Sequence, residues 1–313
     1  MIKLSISEIA KAIDGQVSAG IDADSVFVTG SVETDSRLVS AGALFFARPG
    51  EVTDGHLFIG SALQQGAVAA VVDHFVDDHI PQIKVADVTA ALGKLAKYVL
   101  ARIREVSDLK VVGITGSNGK TTTKNMLRAI LSQVGETIAP IESYNNEVGA
   151  PISVLKANFE TNFLVVELGA GGPGSIAYLA DITKPDLAVL LKVGLAHVGE
   201  FGGIEATAKI KGELAAALSS DDLMIGNADD GYIRDMPTKA KRLWFGTAPD
   251  AGYRASDLQL DINGTSFDIH WPTGETQRIT LQILGEHHVM NALAACAVAD
   301  QLGVSHDSIK NAL

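Results

Sequence analysis

One short segment limits what this chain can become. Val111-Val112-Gly113-Ile114-Thr115 is a β-branched run that reads as a buried parallel strand. Glycines follow at 116 and 119, then Lys120 and Thr121. Met126-Leu127, Ile130-Leu131 and Val134 then recur at helical spacing. A strand, a glycine turn and a helix with Gly-Lys-Thr at the junction make a phosphate-binding loop. Glycine lets the backbone wrap tightly and aim N–H groups at phosphate oxygens. In this reading Lys120 pairs with the β- and γ-phosphates, and the Thr121 hydroxyl ligates Mg²⁺. The strict Walker spacing needs glycine five residues before Gly119, where Ile114 stands. The first glycine is Gly116 instead, giving Thr115-Gly116-Ser117-Asn118-Gly119-Lys120-Thr121-Thr122. The competing reading is a β–α turn that binds nothing, and the flanking strand and helix argue against it.

Composition narrows the class. The 313 residues suffice for two ordinary domains, and 47% hydrophobic content allows large cores. With a net charge of −12, the chain gains nothing from a nucleic-acid backbone, so no nucleic-acid partner is expected. The single cysteine, Cys296, excludes an internal disulfide and reads as core filling on an alanine-rich helix. No apolar run reaches the length of a membrane span, and Met1-Ile2-Lys3-Leu4-Ser5 has no signal pattern. The expectation is a cytoplasmic, monomeric protein.

The fold class expected is α/β: a small N-terminal α/β domain, then a P-loop-type central domain. The central domain has a mostly parallel sheet and a small antiparallel meander. The boundary falls at 107/108, giving domains 1–107 and 108–313. In the first domain, 26–32 alternates as one strand, and Ser36, Arg37, Arg48, Asp54 and His56 form a polar cluster. Turn chemistry accounts for Asp54-Gly55 equally well, and Arg37 is the best candidate for gripping a phosphate in two places. In the second, Asn145 and Asn146 sit in a loop before a helix at 151–155. Phe163-Leu164-Val165-Val166-Glu167 ends a second buried strand in a carboxylate well placed to hold Mg²⁺. A surface glutamate at a strand end is the alternative. A third strand, 187–193, ends near His197. That histidine reads either as a metal ligand or as a structural residue beside a glycine turn.

These residues resemble the Mur ligase family, ATP-dependent amide ligases of peptidoglycan precursor synthesis. The phosphate loop at 115–122, Glu167-Leu168-Gly169, and Ala196-His197 with Phe201-Gly202 carry the resemblance. So do Asn227-Ala228-Asp229-Asp230, Gly285-x-His287-x-Val289-x-Asn291, and Asp35-Ser36-Arg37 with Asp54-Gly55-His56. The resemblance implies ATP and Mg²⁺ as cofactors. It puts Asn227, His287 and Asn291 on the adenosine side, and Thr121, Glu167 and His197 at the metals. Ser36, Arg37, Arg48, Asp54, His56, Asn145 and Asn146 fall on the UDP-sugar side. It also gives a catalytic role to Lys120, His197 and Lys211. Lys211 lies 211 − 197 = 14 residues beyond the histidine and is the candidate for carbamylation, with Lys209 as its rival.

The loop Asn145-Asn146-Glu147-Val148-Gly149-Ala150-Pro151 is similar to that of the branch that joins D-alanyl-D-alanine to UDP-MurNAc-tripeptide. Two residues depart from the family pattern, Lys192 and His288, each standing where an asparagine is common. The resemblance further implies a third, C-terminal domain marked by Asp-Asp-x-Tyr-Asn-Ala-Asn-Pro. That segment is absent from 1–313, so the expectation is a chain that binds ligands and does not complete the ligation alone. Folylpolyglutamate- and cyanophycin-type ligases, the tripeptide-forming ligase and a non-catalytic nucleotide switch remain as alternatives.

Overall fold

The structure, a computed structural model, describes residues 1–50, 53–140, 143–194, 201–262 and 264–313. Its contacts divide the chain into two units. One is Met1–Asp108 with Glu147–Glu160, and the other is Leu109–Asn146 with Thr161–Leu313.

The first unit opens on β1 (Leu4–Ser5) and α1 (Ile6–Ala12). Ser5 and Glu8 close a reciprocal capping box at the start of α1. β2 (Gln16–Val17), β4 (Val32–Glu33), β5 (Leu44–Phe46), β6 (Ala69–Val72) and β7 (Gln82–Lys84) form a sheet in the order β2-β7-β6-β5-β4. It is parallel except at β2. The stretch 26–32, expected as one strand, is two: β3 (Phe27–Val28) pairs with β1, while β4 joins the five-stranded sheet. The break falls at Gly30, where a Cβ would lie 2.6 Å from the Ala41 carbonyl oxygen. Helices α2 (Ile59–Gln65) and α3 (Val88–Arg104) follow β5 and β7. A core of Phe45, Ile59, Ala70 and Val72 fills one side of the sheet.

The second unit begins at β8 (Lys110–Thr115), followed by α4 (Lys120–Leu131) and β9 (Thr137–Ile138). Helix α5 (Gly149–Leu155) then returns to the first unit and packs on α3, so the linear boundary at 107/108 does not separate the two cores. β10 (Phe163–Glu167), α6 (Ser175–Thr183), β11 (Leu187–Leu190), α7 (Ile204–Ala217) and β12 (Leu223–Asn227) complete the nucleotide-type core. A short helix α8 (Gly231–Arg234), then β13 (Lys241–Gly246), β14 (Tyr253–Asp261), β15 (Gly264–His270) and β16 (Thr276–Leu281) extend it. Helices α9 (His287–Gln301) and α10 (His306–Ala312) end the chain.

Among the described residues the sheet runs β16-β15-β14-β13-β12-β11-β8-β10-β9. It is parallel from β9 to β14 and antiparallel beyond. The expected meander is therefore a continuation of the parallel sheet. Val112, Ile114, Leu127, Val189 and Leu293 share its core, and Cys296 lies fully buried with them. Burial pushes the Cys296 thiol up, which fits an inert core residue. Among the described residues no helix is long and apolar enough to cross a membrane.

Candidate functional site

Strand β8 has β10 on one side and β11 on the other, so the connections diverge at its C-terminal end. A crevice opens at such a switch point, and the phosphate loop lies there. Its pieces divide into those that hold the loop and those that are free to hold a ligand. The Thr115 hydroxyl donates to the Leu168 carbonyl (2.9 Å), which ties β8 to the end of β10. The Ser117 N–H donates to the Lys192 carbonyl (2.8 Å), and the Ser117 hydroxyl accepts from the Gly194 N–H (2.8 Å). Both side chains thus fix the loop to its neighbouring strands. Gly119 has φ +88°, and a Cβ there would meet Asn291 Oδ1 at 2.2 Å. Only glycine lets α4 start this close to α9.

Lys120 folds back so that its Nζ donates to the Gly116 carbonyl (2.8 Å), spanning the loop. Burial lowers its proton affinity, and the Glu167 charge opposes that shift. Glu167 is buried at the end of β10, not on the surface. Its Oε2 accepts from the Thr121 hydroxyl (3.2 Å) and the Ser143 hydroxyl (3.4 Å), and those two hydroxyls lie 2.8 Å apart. Its Oε1 lies 3.0 Å from Nζ of Lys124, and each of these two side chains is 1% exposed.

Lys124 and Ser143 were missed in reading the sequence. The signal for Lys124 was present: it stands three residues before Leu127 and seven before Leu131, on the buried stripe of α4. A lysine on that stripe needs a buried anion, and Glu167 is the one it meets.

Beside the loop lies a cavity of about 780 Å³ lined by Asn118, Gly119, Thr122, Asn227, His287 and Asn291 among others, which brings the expected adenosine-side residues to one wall. Asn227 is spent on the fold: its Nδ2 donates to the Leu191 carbonyl and its Oδ1 accepts from the Asp229 N–H, each at 2.9 Å. Lys192 and His288, the two departures, both line this cavity. The His288 Nδ1 is buried and has no hydrogen-bond partner among the described residues. Burial, then His287, holds its proton affinity down, so it presents a neutral ring.

Lys211 is 4% exposed, whereas its rival Lys209 lies on the exposed face of α7. Burial, with the nearby Lys120 charge adding to it, pushes the Lys211 ammonium down to about 8. His197 lies outside the described residues. Asn145 uses its backbone carbonyl to accept from the Gly169 N–H (2.7 Å), holding its loop against the end of β10.

The polar cluster of the first unit does not form a single group. Arg37 is paired with Asp35 (2.6 Å) and its side chain is 86% exposed, free to meet an anion at small cost. Ser36 is buried next to it. Arg48 Nε donates to the Thr89 hydroxyl (3.0 Å). His56 is buried, with Nδ1 on Asp54 Oδ1 (2.7 Å) and Nε2 accepting from the Asp73 N–H (3.4 Å). His56 therefore props the Asp54 turn, and Gly55 lets that turn press on the Arg48 backbone, 2.6 Å from a would-be Cβ.

Comparison with known proteins agrees with this geometry. The Mur ligase middle domain matches residues 114–299, and the Mur ligase family catalytic domain matches 29–99. UDP-N-acetylmuramoyl-tripeptide–D-alanyl-D-alanine ligase of Mycobacterium bovis is 37% identical over all of this chain, which spans 66% of that relative's length. The crystal structure of MurF from Acinetobacter baumannii superposes with a TM-score of 0.90 at 33% identity, over 99% of this chain and 68% of that one. MurF ligase from Thermotoga maritima, solved in complex with ADP, superposes at 0.79 with 30% identity, over 90% and 66%. With its middle-domain match covering the loop, the carboxylate and the cavity wall alike, the chain belongs to the Mur ligase family.

Proposed function

We propose that this chain carries the nucleotide and UDP-sugar parts of an ATP-dependent ligase that joins D-alanyl-D-alanine to UDP-MurNAc-tripeptide. The observation that carries the reading is the cluster of Lys120, Thr121, Ser143 and Glu167 at the phosphate loop, whose Asn118, Gly119 and Thr122 line the 780 Å³ cavity. The names of the relatives supply the substrates.

A carboxylate is a poor acylating agent, so one of its oxygens must first become a leaving group. The tripeptide carboxylate attacks the γ-phosphorus of ATP, giving an acyl phosphate and ADP. The amine of D-alanyl-D-alanine then attacks the acyl carbon and phosphate leaves. The protein's task is positioning and charge neutralisation. Lys120 exchanges the Gly116 carbonyl for phosphate oxygens, and the loop N–H groups hold the rest. The cavity wall of His287, His288 and Asn291 receives the adenosine. The donors gathered at Glu167 Oε2 are all oxygens, which suits Mg²⁺, and Thr121, Ser143 and Glu167 would hold it. Held there, the ion would offset the charge of the phosphates.

Lys211, whose ammonium is pushed down to about 8, gives up that proton and as the neutral amine adds CO₂ to form a carbamate, releasing a second proton. In the first unit Arg37 grips the diphosphate of the UDP-sugar, a reading its exposure supports, while Ser36, Arg48, Asp54 and His56 shape the loop around it. The chain is read as acting in peptidoglycan synthesis in the cytoplasm.

Thermal shift with ATP, GTP, UDP-MurNAc-tripeptide and a folate tests the reading. ATP and UDP-MurNAc-tripeptide should each stabilise the chain, and Arg37→Ala should abolish only the second effect. Stabilisation by folate, or by GTP in place of ATP, overturns it.

A further inference from the structure

We infer that Lys124 is a built-in counter-ion that keeps the cation site at Glu167 closed until a nucleotide arrives, so that the divalent cation enters only with the nucleotide. This rests on the nucleotide reading above and goes beyond it to the linkage between its two ligands.

Glu167 is the end of a buried strand, and its two oxygens face different partners. Oε1 lies 3.0 Å from the Lys124 ammonium, with both side chains 1% exposed. Among the described residues Oε2 receives hydroxyl donors alone, Thr121 at 3.2 Å and Ser143 at 3.4 Å. Lys120 adds a second ammonium close enough for Glu167 to affect its proton affinity. Two ammonium groups thus attend one carboxylate where solvent screening is weak. A bare divalent cation approaching Oε2 meets an acid already neutralised by Lys124 and faces the Lys120 charge besides. A nucleotide polyphosphate reverses the balance, because its own charges draw Lys120 away from the Gly116 carbonyl and supply further oxygens. Cation and nucleotide then bind with positive coupling, and Lys124 sets the size of that coupling.

Lys124 also fixes the rotamer. With Oε1 held from the α4 side, Oε2 is the oxygen left facing Thr121. It is a positioning residue, since the carboxylate and not the lysine faces the ligand. A purely structural role for the pair predicts a different result. Removing Lys124 would then lower stability and weaken nucleotide binding by the same factor with or without the metal.

The test is calorimetry of ADP binding in EDTA and in MgCl₂, together with Mg²⁺ titration of the nucleotide-free chain. The quantity compared is the ratio of the two ADP dissociation constants. The unsubstituted chain should bind no Mg²⁺ alone in the millimolar range. In Lys124→Met and Lys124→Gln, Glu167 regains its full charge. Mg²⁺ should then bind without nucleotide, and the ratio of the EDTA to the MgCl₂ constant should fall at least about fivefold. Lys124→Arg, which keeps the charge, should leave the ratio unchanged. Where Lys124→Met fails to fold, Lys124→Gln retains a donor for Oε1, and the double variant Lys124→Met, Glu167→Gln removes both buried charges. That double variant should fold and lose the Mg²⁺ effect. An unchanged ratio in the neutral variants, or Mg²⁺ binding to the unsubstituted chain alone, overturns the inference. Absence of any ADP binding to the unsubstituted chain would instead overturn the nucleotide reading itself.

Discussion

Lys120 and Lys211 are two lysines whose burial has opposite uses. Lys120 is held across the loop by a single carbonyl, which is a weaker partner than phosphate. Lys120→Ala should cost ADP affinity about 2 kcal/mol, one charge-assisted contact. Calorimetric affinity equal to that of the unsubstituted chain would remove the loop from the nucleotide site. Lys211 is instead a buried ammonium beside the Lys120 charge, shifted from 10.5 to about 8. Below pH 8 both folded and unfolded chains carry the proton, and the folded chain bears the full penalty of the buried charge. Between about pH 8 and the ordinary lysine value, the folded chain releases a proton that the unfolded chain keeps, so stability rises with pH. Denaturant unfolding at pH 7, 8 and 9 should show this rise, at most about 1.4 kcal/mol per pH unit, relative to Lys211→Met. Parallel pH profiles for the two proteins would mean that Lys211 stays protonated throughout.

Elements with a strong period were readable and those without one were not. β8 and α4 stand where the β-branched run and the 3.6 spacing put them, and β10 ends at Glu167 as expected. The strands β2, β7 and β9 are two or three residues long, too short to show alternation, and they exist because neighbouring strands pair with them. Residues 26–32 alternate well enough to read as one strand, but the contact at their break, Gly30 against Ala41, spans chain that no local pattern connects. The site shows the same division. The loop and Glu167 were legible as local signals, whereas the Lys124–Glu167 pair depends on α4 facing β10. Gly119 joins the two kinds of information, because it is both the loop glycine and the point where α4 meets α9. Gly119→Ala should destabilise the fold by about 1–3 kcal/mol through the positive φ alone, with the Asn291 clash added. Adding Asn291→Ala should recover the clash and leave the φ cost. A melting temperature unchanged by Gly119→Ala would refute the close approach.

At the scale of the whole molecule, the chain crosses between its two units more than once, and no linear boundary describes it. The helix Gly149–Leu155 follows a loop of the nucleotide unit, yet it packs on α3 and belongs with the first unit. Every residue of that helix is buried, with Leu155 at 2% exposure. Apart from Ser153 its sequence is apolar or glycine all round, so its polarity could not show which unit it would join. Leu155→Ala should therefore remove about 2–5 kcal/mol from the first unit and little from the second. The two units carry different expected ligands, which allows the loss to be located. UDP-MurNAc-tripeptide binding should weaken as the first unit opens, while ADP affinity stays within about twofold, because sites without shared partners respond independently. Native-state hydrogen exchange gives a second readout: amides of β5 and β6 should exchange faster, and those of β8 and β10 should not. The reverse pattern, with β8 and β10 losing protection and ADP binding falling, would place this helix in the nucleotide unit and restore the linear boundary near residue 108.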